Sequence, residues 1–380
     1  MELPPLRIVH CFRSPVGGIF RHVRDLAEAQ AQAGHRVGIV CDSSTGGAYE
    51  DGLFASIAPS LALGVTRTPM QRHIGPGDLR AAWRTFRILR GMRPDVLHGH
   101  GAKGGLYARI FALLIRQSGR RTVSLYTPHG GSLHFDPATL SGRVLFHAER
   151  AMERLGDHTL FVSDHERRAF RAKVGEPRVP SSLVFNGLRE AEFELVPADP
   201  DAADFLYIGM MRDLKGPDLF IDALAETERR TGRRVTAVMV GAGDDLPSYR
   251  ERVSKLGMDD RIAFHAPMPA RDAFRLARVI VVPSRAEAMP YIVLEALAAG
   301  MPMIATDVGG IPEIFGDKAD VLVSPEVAGI ADRMESALAE PSRFRARMPS
   351  RASLHARFST ATMAAGIEEA YRASLARHTR

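Results

Sequence analysis

Residues 6–41 read LRIVHCFRSPVGGIFRHVRDLAEAQAQAGHRVGIVC. A short apolar run, LRIVH, leads into the loop Pro15-Val16-Gly17-Gly18 and then into residues 20–33, where apolar positions recur at helical spacing. Gly34 stands where that helix stops, because glycine takes the left-handed conformation that ends a helix without a Cβ penalty, and RVGIVC supplies a second strand. Strand, helix and strand in this order make a βαβ unit. Its strands are apolar almost throughout, so the expected architecture is α/β, with a parallel sheet covered by helices on both faces.

The alternation continues through DVLHGH, a helix near residues 104–116, RTVSLY with the loop Thr127-Pro128-His129-Gly130-Gly131, and HTLFVS. Ser163-Asp164-His165-Glu166 reads as a capping box for the next helix. A turn at Phe185-Asn186-Gly187 then introduces REAEFELVPADPDAAD, an acidic, proline-bearing stretch with the composition of a linker. After it the pattern restarts with DFLYIG, a helix opened by Pro217, RVTAVMVG, RIAFH, VIVVPS, a helix over residues 292–299, PMIAT and DVLVS. Two doubly wound domains are expected, over residues 1–190 and 191–358, with a final helix over 359–380 packing back on the first. In such sheets ligands bind beyond the carboxyl ends of the strands, so two domains facing one another would share a cleft.

The chain has 380 residues, a length that allows two or three domains, and its 45% hydrophobic content excludes wholesale disorder. Its net charge of +6 is unevenly spread: residues 1–190 hold 26 Lys+Arg against 16 Asp+Glu, and the remainder 24 against 28. The basic excess peaks in LRAAWRTFRILRGMR, residues 79–93, where Arg80, Arg84, Arg87, Arg90 and Arg93 are spaced for one helix face. That segment fits either a helix lying on an anionic bilayer or a surface helix packed on the sheet. No recognised motif or interleaved aromatics point to nucleic acid. Cys11 and Cys41 are too few for a disulfide scaffold or a thiolate metal site, and both read as buried core thiols. The start of the chain lacks an apolar targeting segment, and apolar runs are interrupted by Arg109 and Glu295, so a cytoplasmic chain is expected, with peripheral contact to the inner face of a membrane as an option.

Four groups of residues carry candidate chemistry. In Pro283-Ser284-Arg285-Ala286-Glu287-Ala288-Met289-Pro290-Tyr291-Ile292-Val293-Leu294-Glu295, Glu287 follows a buried strand and Glu295 interrupts an apolar helix. A carboxylate accepts two hydroxyls, which suits a sugar or ribose diol, and the helix start between the two glutamates suits phosphate oxygens. Arg212 and Lys215, in Gly209-Met210-Met211-Arg212-Asp213-Leu214-Lys215-Gly216, could clamp a diphosphate. Gly17 and Gly18 permit close backbone approach to an anion, but lack the spacing of a dinucleotide fingerprint. His129 lies at a strand's carboxyl end with an acid–base-capable ring, whereas His98 and His100 read as packed or solvated. Asp244-Asp245 and Asp199-Pro200-Asp201 read as solvated acids, without further ligands at metal spacing.

Taken together, these segments resemble the retaining family-4 glycosyltransferases of the GT-B fold, a group that includes bacterial lipopolysaccharide and exopolysaccharide transferases. The likeness runs through Gly17-Gly18, TPHGG, FNGL, FLYIG…LKG, VMVGAGDD and PSRAEAMPYIVLEALAAGMPMIATDVGGIPE. It implies two Rossmann-like domains, the first for acceptor and the second for a nucleoside-diphosphate sugar. It also implies Glu287 at the donor sugar, Glu295 at the ribose, Arg212 and Lys215 at the diphosphate, and His129 at the reacting sugar. Gly17, Gly18, Gly241 and the backbone around Pro290, Tyr291 and Ile292 would complete the donor contacts. Neither metal nor cofactor is implied. Hexose transfer to a saccharide or lipid-linked acceptor is the implied reaction, in cell-surface polysaccharide or glycolipid synthesis. Two departures stand out: Ala288-Met289-Pro290-Tyr291 replaces the usual Gly-Phe-Gly type loop, and Met210 occupies the place where the family commonly has its clamp arginine. A GT-B-like epimerase or phosphorylase remains the enzymatic alternative, and a non-catalytic basic membrane-binding module the alternative of another class.

Overall fold

The computed structural model describes residues 4–70 and 76–378, apart from the side chains at 49, 76–79, 132 and 134. It divides into two compact units, one of residues up to Gly187 together with those from Thr360 onward, the other Leu188–Ser359.

The first unit is built on an all-parallel sheet of β1 (Arg7–Phe12), β2 (Arg36–Asp42), β3 (Gly64–Thr68), β4 (Val96–His100), β5 (Val123–Thr127), β6 (His158–Phe161) and β7 (Ser181–Leu183). Their order is β3-β2-β1-β4-β5-β6-β7, so the winding reverses between β1 and β4. The helices are α1 (Gly17–Gln32), α2 (Ala48–Ile57), α3 (Pro76–Met92), α4 (Gly101–Gln117), α5 (Leu140–Met152), α6 (Asp164–Lys173) and the C-terminal helix Thr360–Arg377.

Strand alternation divides the side chains between two faces. Ile8, Val96, Leu125 and Leu160 pack with Leu26 of α1 and with Met363, Ile367, Tyr371 and Leu375 of the C-terminal helix. Val9, Cys11, Val40 and Leu97 meet Leu89 of α3 and Tyr107, Phe111 and Ile115 of α4. Helix α4 lies very close to the sheet: a Cβ on Gly104 would stand 2.2 Å from the Cys11 carbonyl oxygen, and one on Gly99 2.4 Å from that of Gly104. Arg109, which breaks the apolar run of α4, is buried against Glu149 at 2.7 Å, a paired charge inside the unit. Among the described residues no helix is long and apolar enough to cross a membrane.

The second unit has the parallel order β10 (Ile262–His265), β9 (Ala237–Val240), β8 (Ala203–Ile208), β11 (Ala277–Val282), β12 (Met303–Ala305), reversing between β8 and β11. Its helices are α7 (Pro217–Thr231), α8 (Leu246–Lys255), α9 (Ala270–Phe274), α10 (Tyr291–Ala298), α11 (Ile311–Phe315), α12 (Val327–Ala339), α13 (Pro341–Ala346) and α14 (Arg351–Phe358). Phe205, Tyr207, Phe220, Met239, Val281 and Met334 lie in its main core.

The acidic stretch after Gly187 is not a free linker. Leu188 N–H donates to Phe358 O at 2.7 Å, Val196 N–H to Ala299 O at 3.0 Å and Asp199 N–H to Arg275 O at 2.9 Å, so the segment runs along the second unit. Composition alone reads such a stretch as a connector, yet its backbone donors still find protein partners. Its first residue and Ser359 form a parallel bridge, which brings the two ends of the second unit together. The observed crossings therefore fall at 187/188 and 359/360 rather than at 190/191 and 358/359.

Helix α3 buries Thr85 and Leu89 and leans Phe86 and Met92 on the core, which is the packed-helix reading of the basic segment. Arg80, Arg84, Arg87, Arg90 and Arg93 are exposed, and Trp83 is 60% exposed with the Arg87 guanidinium over its ring. The Leu79 side chain lies outside the described residues.

Cys11 and Cys41 are free and buried. Burial pushes both thiols up, Cys41 to about 12, because a thiolate in an apolar interior loses its hydration. At pH 8 a thiol-specific reagent should therefore label neither cysteine in the native chain and both in guanidinium chloride, as read by mass spectrometry.

Candidate active site

Four loops at the carboxyl edge of the second sheet lock together through their backbones. The loop after β8 meets the loop after β9, where a Cβ on Gly241 would stand 1.9 Å from Gly209 O and one on Gly243 2.3 Å from Met211 O. It also meets the loop after β11: Arg285 N–H donates to Leu214 O at 2.9 Å, and a Cβ on Gly216 would stand 2.2 Å from Pro283 O. The loop after β12 closes the series, since the Thr306 hydroxyl donates to Ser284 O at 2.6 Å and a Cβ on Gly309 would stand 1.8 Å from Glu287 O. Only glycine allows these approaches, and Gly216 and Gly309 also have φ of +66° and +60°.

This interlock sets Lys215, after β8, beside Glu287, after β11, at the point where the winding reverses. Lys215 Nζ lies 2.5 Å from Glu287 Oε1, which also accepts the Ser284 hydroxyl at 2.7 Å. The Glu287 side chain is 8% exposed and that of Lys215 22%, so the pair is poorly hydrated and its attraction only partly screened. Beneath it Arg285 holds Asp218 of α7 through two bonds of 2.9 and 2.5 Å and reaches Asp213 O at 2.6 Å. Burial is the largest single influence on the Asp218 carboxyl and raises it, but the hydrogen bonds and charge of Arg285 together with backbone N–H groups at the start of α7 outweigh it, and the net shift is downward. Helix α10 begins at Tyr291, with Pro290 as its N-cap and Glu295 half-buried within it. Arg212 is exposed on the loop after β8.

In the first unit the corresponding reversal point is occupied by histidines. Strand alternation sends His10, His98 and His100 to the face covered by α1 and the C-terminal helix, and all three are buried. His10 Nδ1 lies 3.0 Å from His100 Nε2, and His100 Nδ1 lies 3.0 Å from His129 Nε2. His98 pairs with Tyr371 Oη at 2.7 Å and Thr127 Oγ1 at 2.8 Å. Desolvation holds His10 and His22 down to about 4 and His98, His100 and His129 well below the usual imidazole value, so the cluster is neutral at pH 7. His129 has φ of +53°, followed by Gly130 at +74°. The Glu166 carboxylate fixes that reversal by accepting Gly130 N–H at 2.5 Å and Val162 N–H at 2.9 Å. The expected capping box is thus half formed: Ser163 Oγ accepts Glu166 N–H at 3.0 Å, while Glu166 is turned to the His129 loop.

A family model described as glycosyl transferase 4-like domain matches residues 17–187, and one described as glycosyl transferases group 1 matches residues 189–355. The chain belongs to the family-4 glycosyltransferases of the GT-B fold. A D-inositol 3-phosphate glycosyltransferase of Nocardia farcinica is 35% identical over 197 residues, 49% of this chain and 43% of that protein. The protein of the same name from an Arthrobacter species is 26% identical over 392 residues, 94% of this chain and 90% of its own. At the higher identity, the matched region spans about half the length of such relatives. Among solved structures, Anabaena HepE in complex with UDP-glucose superposes with a TM-score of 0.78 at 16% identity, covering 96% of this chain and 99% of that one. That likeness carries the fold.

Within the chain, Lys215, Glu287, Gly241, Pro290, Tyr291, Ile292 and Glu295 all belong to the second unit, at or just beyond its carboxyl-edge loops. Arg212 shares the Lys215 loop. Gly17 and Gly18 belong to the first unit and open α1 rather than forming a loop before it, Gly17 with φ of +65°. Asp244 and Asp245 are exposed, and among the described residues no metal-type cluster includes them. Sequence reading missed the Arg285–Asp218 brace and the histidines His10 and His22. The signal for His10 was present: LRIVH and DVLHGH both end on histidine at the edge where ligands gather.

Gly309→Ala should lower the stability of the second unit by more than the about 1–2 kcal/mol of left-handed strain alone. Gly232→Ala is the matched control, because its φ is +69° with nothing within 4 Å of the added Cβ. Denaturant titration measures both. Equal losses would mean that the contact with Glu287 O relaxes freely.

Proposed function

We propose that the chain is a retaining glycosyltransferase that moves a hexose from a nucleoside-diphosphate sugar to a saccharide or lipid-linked acceptor. The observation that carries the reading is the Lys215–Glu287 pair at the reversal point of the second sheet, beside the start of α10. In this reading Lys215, helped by Arg212, neutralises the diphosphate as the bond from the anomeric carbon to its oxygen breaks. The acceptor oxygen bonds to the same face of that carbon, and its proton leaves toward the departing phosphate. Glu287 Oε1 is engaged by Lys215 and Ser284, which leaves Oε2 to accept sugar hydroxyls. The first backbone N–H groups of α10, around Tyr291 and Ile292, suit phosphate oxygens, and Glu295 suits the ribose diol. Preorganised charge stabilises a leaving group without reorganisation at the moment of reaction, and this reaction needs no metal at the donor. His129, held neutral by burial, contributes a hydrogen bond at the reacting sugar.

Lys215→Ala and Glu287→Ala should each reduce transfer about 100-fold or more, the scale of losing one preorganised charge partner, with the fold retained by circular dichroism. A thermal-shift panel of UDP, GDP and ADP sugars should show one selective stabilisation, weakened in both variants. Near-normal turnover in either variant, or a flat panel, would count against the reading.

The exposed Trp83 and its flanking arginines on α3 also favour peripheral contact with an anionic membrane, since an interfacial aromatic beside cations suits the headgroup region. Sedimentation with anionic liposomes should be salt-sensitive and reduced in Trp83→Ser; absence of binding at low salt would remove this contact.

A further inference from the structure

We infer that His22, His100 and His129 form a site for a divalent transition metal of the zinc type. One ring nitrogen from each of the three lies within 4.8 Å of those of the other two. The His22 ring stands edge-on to that of His129, with centroids 4.7 Å apart.

Hydrogen bonding on the far side of each ring decides which nitrogen is available. The Asn186 side-chain oxygen lies 3.0 Å from His22 Nδ1, so that nitrogen carries the proton and Nε2 keeps its lone pair. His22 is 1% exposed, and Nε2 has no hydrogen-bond partner among the described residues. An orphaned acceptor inside a protein is costly, and a metal ion is one species that satisfies it. His10 Nε2 donates to Gln30 Oε1 at 2.8 Å, so His10 Nδ1 accepts from His100 Nε2–H. His100 Nδ1 is then a bare lone pair as well, and His129 Nε2 at 3.0 Å shares a proton with it. Two imidazole ligands at about 2.0–2.1 Å in tetrahedral geometry place their nitrogens roughly 3.3 Å apart, so a metal replaces that proton with little movement. His129 remains neutral by carrying its proton on Nδ1.

Outer partners that fix ring orientation and tautomer are the usual companions of metal-binding imidazoles, and Asn186, His10 and Gln30 fill those places here. Neutral rings need lose no proton to bind. Imidazole donors without thiolates suit zinc, copper or nickel rather than magnesium or calcium. The neighbouring group of His10, His98 and His100 also satisfies the distance test, yet both ring nitrogens of His98 are already taken by Tyr371 and Thr127. The site concerns the first unit alone and does not rest on the transfer reaction proposed for the whole chain.

The test uses the full chain, stripped with a chelator and then dialysed against Zn²⁺ or Co²⁺. One equivalent should bind, and Co²⁺ should give the visible absorption of a four- or five-coordinate nitrogen site; this measurement needs no variant. His22→Gln should abolish stoichiometric binding and Asn186→Ala should weaken it about 10–100-fold. His147→Ala, at an exposed position, should change nothing. Absence of stoichiometric metal in the unaltered chain would overturn the inference, as would undiminished binding in folded His22→Gln. Binding abolished by His98→Gln but kept in His22→Gln would overturn it too, by placing the ion on the other group.

Discussion

An all-parallel sheet delivers the carboxyl end of every strand to one edge, and this constraint organises both units. Where the winding reverses, the two central strands send their following loops apart, and side chains beyond them can converge without a connection in the way. In the second unit that place lies between β8 and β11, and it holds the Lys215–Glu287 pair. In the first it lies between β1 and β4, and it holds His10 and His100. The same geometry thus frames two different kinds of chemistry. One is an ion pair open to charge on a ligand, the other a neutral network closed to protons.

The two constellations are also held differently. Lys215 and Glu287 sit on loops, which would ordinarily blur their separation, but those loops touch backbone to backbone through Gly209, Gly216, Gly241, Gly243 and Gly309. The absence of side chains is what gives rigidity here, because carbonyl oxygens fill the space that a Cβ would need. The histidines instead sit largely on strands and α1, so their placement follows from strand register and helix packing. Burying four imidazoles and half-burying a fifth is tolerable only because most of their nitrogens find partners, among them Gln30, Thr127, Asn186 and Tyr371. All four of those partners come from outside β1 and β4, one of them from the C-terminal helix. That helix therefore contributes to the polar interior of the first unit as well as to its apolar core.

Much of this was legible in the sequence, and the reasons are specific. LRIVH, RVGIVC and VIVVPS are apolar on both sides, a pattern that only a covered parallel strand satisfies, so strand existence and pairing sense followed directly. Glu287 and Lys215 were conspicuous because a charged residue directly after a buried strand falls at the ligand edge. Glu295 was conspicuous because it interrupts an apolar helix. The linker was misread for the converse reason: composition reports how a segment is solvated, not where its N–H groups donate, and residues 188–204 are polar yet hydrogen-bonded along α9, α10 and α14. Gly17 and Gly18 looked like a loop because two adjacent glycines disfavour helix, but tertiary packing of Phe20, Val23 and Ala27 outweighs that local preference. The histidine cluster lay hidden because its members are up to 119 residues apart, from His10 to His129, and only the register of β1, β4 and β5 together with the packing of α1 brings them together.

The uneven charge of the chain acquires a structural meaning from the same particulars. In the second unit arginines are largely consumed internally: Arg285 by Asp218, Arg252 by Asp222, Arg261 by Glu228 and Arg233 by Asp204. What remains near its loops is Lys215, already balanced by Glu287, and the exposed Arg212, a small positive surplus suited to one diphosphate rather than to an extended polyanion. On α3 of the first unit the arginines point outward beside Trp83, with the apolar stripe of the helix turned inward to Phe111 and the sheet. A net count cannot separate these two arrangements. Their difference lies in pairing: cations matched by carboxylates set the shape of a site, whereas unmatched cations on a helix face set what kind of surface the protein can approach.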